Sequence, residues 1–302
     1  MNLFNINQNK LISLEEKPFK LEREFQCLFE ENLTVITGLE FVGSEFSIQN
    51  QRIDTLAFDT ESKSFVIIEY KKSTNYSVLD QGVSYLNTLL KYKADFILGY
   101  QEKTGKLLRK NVVDWSQSKV VFVSPNFTSF QKQAVDFKDL NIELWEVKRF
   151  QNDLLLINGV NKSKNAPSIK TSISEADSEL ALVTKELKTY SEEDLLVNKS
   201  EGIVELYETF KEAIFQLIPD SDLVATKLYM AFKQGKRNIV DIEIQNKQLK
   251  LFINAKFGEI EDPKELTRNV STIGHYGNGE YEIRVVDTKH LEYIMSLIKQ
   301  II

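Results

Sequence analysis

Residues 52–71, RIDTLAFDTESKSFVIIEYK, decide how the first part of the chain folds. The runs 52–58 and 65–71 are rich in the β-branched and aromatic residues that favour strands. The segment between them, DTESKS, is polar and suits a turn. The stretch therefore predicts a β-hairpin.

Three charged side chains of this hairpin, Asp54, Glu69 and Lys71, are predicted to converge. Residues two apart in a strand share a face, so Glu69 and Lys71 project together, and Asp54 can reach them from the neighbouring strand. The two carboxylates would provide oxygen ligands for Mg²⁺ or Mn²⁺. Water on such a metal can attack a phosphodiester, and Lys71 would orient that water or stabilise the developing negative charge. The alternative is an ordinary surface salt bridge, worth about 0–1 kcal/mol.

The flanking sequence predicts a mixed α/β layer around the hairpin. Apolar residues at helical spacing predict a helix over 19–35 that Gly38 ends, and Ser77 can cap a second helix. Further strands are predicted at EFSIQ near residue 45, DFILGY (95–100), VVFVS (120–124) and NIELWEV (141–147). The expected fold class is α/β, with a mixed central sheet flanked by helices.

A change of composition at residues 159–190 predicts two domains, which the length of 302 residues also supports. This stretch is rich in Ser, Lys, Asn and Thr and is predicted to link residues 1–158 to residues 191–302. The second domain is predicted to be α+β. Its expected helices lie at SEEDLL, VELYETFKEAIFQLI, LVATKLYMAF and KHLEYIMSLIKQII, and its expected strands at DIEIQ, LKLFINA and YEIRVV.

The composition is that of a soluble globular protein, with 42% apolar and 27% charged residues. No apolar stretch approaches the ~18 residues of a membrane span, and the N-terminus lacks a signal-peptide pattern, so a cytoplasmic protein without membrane contact is expected. The single cysteine, Cys27, excludes an intrachain disulfide and is expected to be buried in a helix. The net charge is −6, and residues 1–158 carry 19 basic against 21 acidic side chains. A nucleic-acid site there would have to rely on local basic groups.

The pattern of RID, then E-x-K, then Q-x-x-x-Y in the next helix resembles the PD-(D/E)XK nuclease superfamily, in particular its RecB-like and archaeal mismatch-endonuclease branches. The resemblance covers roughly residues 20–150, and Ile53 stands where the family has proline before the aspartate. It implies a restriction-endonuclease-like fold and a Mg²⁺-dependent DNA endonuclease, with Asp54 and Glu69 as metal ligands and Lys71 as a catalytic residue.

Further site residues follow from the same resemblance. It implies that Gln81 lies near the metal-bound water or the scissile phosphate, and that Tyr85 lies against the nucleic-acid backbone. Glu22, in E-x-x-F-Q, matches the helix glutamate that faces the metal site in this superfamily, although Glu24 and Glu31 compete for that role, and Glu45, ahead of the second strand, is a further candidate. Arg52 can pair with a carboxylate or a phosphate, and Lys72 is a second candidate for nucleic-acid binding.

The C-terminal domain resembles an uncharacterised domain found at the C-terminus of restriction-type and other nuclease-associated proteins, through KLYMAFKQGKRNIVDIEIQNKQLKLFI and IGHYGNGEYEIRV. Lys233, Lys236 and Arg237 suit phosphate contacts, or a solvated turn. In GHYGNG the glycines predict a tight turn, and His275 is a ligand, an acid–base group or a structural residue.

The sequence thus predicts a metal-dependent endonuclease acting in restriction, phage defence or repair. Double-stranded DNA is the expected partner, with a homodimer and a protein partner of the C-terminal domain as further expectations. One alternative is a catalytically inactive nuclease fold that binds nucleic acid or protein. Another is a nuclease that acts on RNA or single strands.

Overall fold

The computed structural model describes residues 3–72, 77–163, 165–169, 180, 183–184, 186, 190–235, 237–273 and 277–302. By its internal contacts the chain divides into two compact units, Met1–Lys188 and Thr189–Ile302. Among the described residues, none of the helices is both long enough and apolar enough to cross a bilayer.

The first unit combines helices with a six-stranded sheet. Its helices are α1 (Glu22–Glu31), α2 (Leu33–Thr37), α3 (Val78–Lys91), α4 (Lys93–Thr104) and α5 (Ser129–Ala134). Its strands are β1 (Leu3–Asn7), β2 (Lys10–Leu14), β3 (Glu40–Ile48), β4 (Gln51–Asp59), β5 (Ser64–Tyr70), β6 (Lys119–Ser124), β7 (Ile142–Arg149) and β8 (Leu155–Gly159). β1 and β2 form a separate hairpin, and β3 to β8 follow one another across the large sheet. Because β5, β6 and β7 are parallel and the other pairs antiparallel, the predicted mixed sheet is confirmed.

Apolar side chains cover both faces of this sheet. On one face, Phe65 and Ile67 of β5 pack with residues of α3 and α4. On the other face, Val66 and Ile68 pack with residues of α1 and α2. Alternate residues of a strand point to opposite faces, so β5 contributes to both cores and is buried at every position.

The predicted hairpin is confirmed as β4 and β5, which pair from Asp59 with Ser64 to Thr55 with Ile68. Extended by one residue, this register places Asp54 opposite Glu69. The site residues therefore lie where the paired part of the hairpin ends.

The strand on the other side of β4 brings a third carboxylate into the same row. β3 pairs Ser44 with Thr55 and Phe46 with Ile53, so the register places Glu45 opposite Asp54. Glu45 has a left-handed backbone, with a φ of 53°, in the middle of β3. A non-glycine residue pays a steric cost for this conformation, which marks the position as one held by its surroundings.

Three local predictions for the first unit are wrong. The run DFILGY, predicted as a strand, lies in α4, where Phe96 and Tyr100 are buried one helical turn apart. The helix predicted over 19–35 is divided between α1 and α2 at Asn32, although Gly38 ends α2 as expected, with a φ of 77°. Cys27 is exposed, because α1 packs through the opposite face of the helix.

Two described apolar residues of the stretch 159–190, which is predicted to link the domains, lie in the core of the first unit. Ile169 and Val183 are buried in the core that α3 and α4 share with the sheet. Asp139 accepts hydrogen bonds from the Ile169 N–H, at 2.8 Å, and from the Ser168 hydroxyl. Apolar residues are sparse in this stretch, but Ile169 and Val183 pack in the first unit, and the linker assignment stays a prediction.

The second unit carries helices and a six-stranded sheet. Its helices are α6 (Glu192–Leu196), α7 (Glu201–Leu217) and α8 (Leu291–Ile298), and its strands are β9 (Asp222–Ala225), β10 (Met230–Gln234), β11 (Arg237–Ile244), β12 (Leu249–Ile253), β13 (Arg268–Asn269) and β14 (Tyr281–Val285). Residues of α7 and α8 form one apolar core with the sheet. The helix predicted at LVATKLYMAF is wrong, because this stretch forms the antiparallel strands β9 and β10.

Candidate metal-binding and catalytic site

Glu69, near the end of β5, is the most enclosed acid of the candidate site, with 3% of its surface exposed. Its Oε1 accepts hydrogen bonds from Lys71 Nζ at 2.7 Å and from Gln81 Nε2 at 2.9 Å. Its Oε2 accepts a hydrogen bond from the Tyr85 hydroxyl at 3.1 Å. A carboxylate has about four lone-pair positions, so these three donors fix its orientation and still leave capacity for a further ligand.

Asp54 lies opposite Glu69 and is held by one of its two oxygens. Its Oδ2 accepts the Tyr70 backbone N–H at 2.9 Å, just beyond the last ladder pair of β4 and β5. Among the described residues, Oδ1 accepts no hydrogen bond and is open to a ligand. Burial raises the pKa of Asp54 to about 7, and the negative charges of Glu69 and Glu45 add to the rise, against the Tyr70 N–H and the Lys71 charge.

Lys71 follows the last residue of β5 and points to the same acid. Its backbone N–H donates to the Val123 carbonyl on β6 at 2.9 Å, which extends the parallel pairing by one residue. Its ammonium forms an ion pair with Glu69, and 22% of the side chain remains exposed. The structure therefore brings Asp54, Glu69 and Lys71 together, as the spacing predicts.

Gln81 and Tyr85, one turn apart on α3, both contact Glu69, and Gln81 Nε2 also lies 3.2 Å from the Tyr85 hydroxyl. Tyr85 is buried rather than exposed on the helix surface, and its contact with a nucleic-acid backbone stays a prediction. The residue is 6% exposed and belongs to the core under α3, and its hydroxyl also lies 3.2 Å from the Arg52 carbonyl. Burial and the Glu69 charge raise the pKa of Tyr85, so it remains a neutral hydrogen-bond donor that orients Glu69.

Glu22 and Lys72 contact each other at the margin of the site. Glu22 Oε2 accepts the Lys72 backbone N–H at 2.8 Å, and the Lys72 ammonium donates to the Lys20 carbonyl. Glu22 thus binds the residue after Lys71 and not Lys71 itself. Of the glutamates that compete with it, Glu24 pairs with Arg149 at 2.9 Å, and Glu45 lies in the row with Asp54.

Arg52 and Glu45 form an ion pair beside Asp54. The Arg52 side chain is 67% exposed and the Glu45 side chain 38% exposed. Of the two partners expected for Arg52, a carboxylate or a phosphate, the structure contains the carboxylate.

Gln26 is a buried site residue that the sequence reasoning missed. Its Nε2 lies 3.1 Å from Glu30 Oε1, 3.2 Å from the Asp54 carbonyl and 3.4 Å from Glu45 Oε1. An amide nitrogen has two hydrogens to share among these acceptors. With 7% of its surface exposed, Gln26 ties α1 to β3 and β4 at the level of Asp54. The signal was its place one turn after Glu22 and one turn before Glu30, on a helix whose adjacent Phe25 is buried.

The donor set suits a hard divalent cation. Among the described residues, no three His, Cys, Asp or Glu side chains are grouped as ligands of one ion. Mg²⁺ commonly binds through one or two carboxylates and completes its shell with waters and substrate phosphate. Asp54 offers an oxygen that accepts no hydrogen bond within the described part of the chain, and Glu69 offers a carboxylate of fixed orientation, so these two residues fit such an ion.

The expected phosphate-binding and histidine positions of the second unit are only partly described. Lys236 and His275 lie outside the described residues, Lys233 lies in β10, and Arg237 donates to the Asn254 carbonyl at 2.6 Å. Gly277 and Gly279 are required by close packing. A Cβ at Gly277 would lie 2.3 Å from Phe252 atoms, and one at Gly279 would lie 1.8 Å from the Ile253 carbonyl oxygen.

Comparison with known proteins gives one full-length relative. An uncharacterized protein of Haemophilus influenzae is 56% identical over 302 residues, which cover 100% of this chain and 99% of that protein. No family model matches the chain.

Three solved structures are distantly similar. A repair endonuclease from Pyrococcus abyssi is 20% identical, with 44% of this chain and 50% of that chain covered. A structure described as an EndoMS–dsDNA2 complex is 17% identical, with 48% and 64% covered, and Pyrococcus furiosus SfsA in complex with Ca²⁺ is 12% identical, with 49% and 75% covered. The chain thus spans half of the first structure and less than two thirds of the second. Each TM-score is 0.25, which is too low to assign a shared fold.

Proposed function

Because this chain belongs to the same family as the uncharacterized Haemophilus influenzae protein, we propose one function for both, a metal-dependent endonuclease of the PD-(D/E)XK type that hydrolyses DNA phosphodiester bonds. The observation that carries the proposal is the meeting of Asp54, Glu69 and Lys71 where β4 and β5 end their pairing. In this arrangement the two carboxylates can bind a cation, and the ammonium places a positive charge beside them.

Each side chain has a separate task in this proposal. Asp54 and Glu69 hold Mg²⁺ or Mn²⁺, which when bound supplies an acidified water and offsets negative charge on the phosphate. Lys71, paired with Glu69 and partly exposed, donates a hydrogen bond to the attacking water or to the oxygen on which charge develops. Gln81 and Tyr85 keep the Glu69 carboxylate in one orientation.

The direct test is a cleavage assay with the full chain on supercoiled, linear, mismatched and single-stranded DNA, with Mg²⁺, with Mn²⁺ and with EDTA. We expect cleavage that EDTA abolishes. Lys71→Ala should lose cleavage by about two orders of magnitude or more while duplex affinity stays largely intact, since the ammonium acts on the transition state. Lys110→Ala, at an exposed lysine outside the site, is the matched control. Full cleavage by Lys71→Ala would refute this role.

The two alternatives give different results in the same assay. A fold retained for binding would bind nucleic acid without cleaving it, although such a fold has no chemical reason to keep Asp54, Glu69 and Lys71 together. A nuclease acting on RNA or single strands would cleave those substrates and leave duplex DNA intact. The cytoplasmic location, the homodimer, the protein partner of the C-terminal unit and the role in restriction, phage defence or repair stay predictions from the sequence.

A further inference from the structure

Arg52, a side chain of the type that binds phosphate, forms an ion pair with the carboxylate of Glu45. A guanidinium matches the geometry of phosphate and carboxylate equally well. Both partners are substantially exposed, at 67% and 38% of their side chains, and an exposed ion pair contributes at most about 1 kcal/mol. A nucleic-acid phosphate can therefore compete with Glu45 for Arg52.

Glu45 is positioned to act once Arg52 leaves. Its left-handed backbone lies opposite Asp54, and its charge acts on that carboxyl group. Gln26 Nε2, which lies 3.4 Å from Glu45 Oε1, also lies 3.2 Å from the Asp54 carbonyl. Because Gln26 contacts one Glu45 oxygen and Arg52 the other, loss of Arg52 frees an oxygen and leaves the side chain tethered near Asp54.

We infer that Arg52 and Glu45 form an exchange pair, in which a nucleic-acid phosphate takes Arg52 from Glu45 and the released Glu45 carboxylate joins Asp54 in holding the divalent cation. This inference rests on the proposed function. Nucleic acid that binds Arg52 releases Glu45 for the cation, and a cation that binds Glu45 releases Arg52 for a phosphate. The binding of the nucleic acid and the binding of the cation are therefore coupled. By linkage, each ligand tightens the binding of the other by the same factor.

The test measures this coupling by binding. The full chain in a Lys71→Ala background, which keeps the duplex intact, is compared with the same chain carrying Glu45→Gln or Arg52→Ala. The affinity for Mn²⁺ is measured without and with a short DNA duplex by electron paramagnetic resonance of the free ion. The affinity for the duplex, labelled with a fluorophore, is measured by anisotropy in EDTA. Glu40→Gln is the matched control, because Glu40 also lies on β3 and forms an ion pair, with Lys106.

We expect the duplex to tighten Mn²⁺ binding up to roughly fivefold, the equivalent of about 1 kcal/mol. Glu45→Gln should bind the duplex more tightly in EDTA, because Arg52 is free, and should lose the coupling. Arg52→Ala should bind Mn²⁺ more tightly without duplex and bind the duplex more weakly. Glu40→Gln should match the parent in all three measurements.

Weaker duplex binding by Glu45→Gln in EDTA would overturn the exchange, since Glu45 would then merely orient Arg52. A coupling that survives Glu45→Gln would also overturn it. If the wild type cleaves DNA but the duplex does not tighten Mn²⁺ binding in the Lys71→Ala parent, the exchange pair is refuted and the proposed function is left intact. If the duplex tightens Mn²⁺ binding in the Lys71→Ala parent but the wild type cleaves no nucleic acid, the proposed function is refuted and the exchange pair is supported.

Discussion

Replacing Asp54 by asparagine should stabilise the metal-free protein at neutral and higher pH. The pKa of Asp54 rises from its ordinary value of 3.8 to about 7 in the folded chain. At 1.36 kcal/mol per pKa unit, this rise corresponds to roughly 4 kcal/mol against the folded state once Asp54 is ionised. The amide oxygen of the asparagine can still accept the Tyr70 N–H, so the substitution removes the charge and keeps the hydrogen bond.

The sign of the effect follows from proton binding. Below about pH 4, Asp54 is protonated in both the folded and unfolded states and costs nothing. As the pH rises from about 4 to 7, the unfolded chain releases this proton before the folded chain does, so this group progressively lowers the free energy of unfolding. The difference between Asp54→Asn and the wild type should therefore grow over this window and level off above pH 7.

The assay is urea unfolding in EDTA at a series of pH values, followed by tryptophan fluorescence. The two tryptophans, Trp115 and Trp145, lie in the first unit, so the signal reports the unit that contains Asp54. Glu69→Gln is the comparison variant. It should reduce the pH dependence without abolishing it, because burial is a larger cause of the rise than the Glu69 charge. An Asp54→Asn advantage that stays constant with pH would refute the reasoning.

Three further outcomes are expected. Tyr85→Phe removes the hydrogen-bond donor to Glu69 Oε2, so it should lower the free energy of unfolding, measured with urea, by about 1 kcal/mol and should reduce cleavage. An unchanged cleavage rate would contradict the orienting role of Tyr85. Gly279→Ala should disrupt the second unit, since its Cβ would lie 1.8 Å from a backbone oxygen, while Gly202→Ala, where a Cβ meets nothing within 4 Å, is the control; circular dichroism measures both. A fragment ending at residue 188 should resist urea better than one ending at 158, because the shorter fragment lacks Ile169 and Val183, which are buried in the core of the first unit. Equal urea midpoints for the two fragments would favour the linker interpretation.

The hairpin and the meeting of its charged side chains were predictable because their signals are local. Each run of 52–71 is apolar and β-branched, and a strand period of two residues places Glu69 and Lys71 on one face. Two of the secondary-structure errors arose where local signals are ambiguous. A short run such as DFILGY, with apolar or aromatic side chains at four of its six positions, fits a buried strand or a helix equally well. LVATKLYMAF contains good helix formers, but the turn at Thr226 and the pairing of β9 with β10 override this preference.

The parts of the site that escaped prediction depend on tertiary contacts. The left-handed φ of Glu45 and its place opposite Asp54 follow from the register of β3, which no local pattern specifies. Gln26 is a polar residue on a helix, and its value as a tether depends on which face of α1 meets the sheet. Tyr85 could be assigned to α3 from the sequence, but its burial depended on how α3 packs.

The different connections of β5 impose an order on folding. β5 meets β4 across the four-residue turn 60–63, whereas 48 residues separate β5 from β6. Closing the short loop costs less chain entropy, so the β4–β5 hairpin should form early, and the contact of Lys71 with β6 should follow the long crossover. The nascent chain therefore brings its two acids together before β6 fixes the lysine beside them. In this interval the two carboxylates lie near each other before the Lys71 ammonium is fixed beside them, so a divalent cation or a low pH should speed folding by reducing their repulsion.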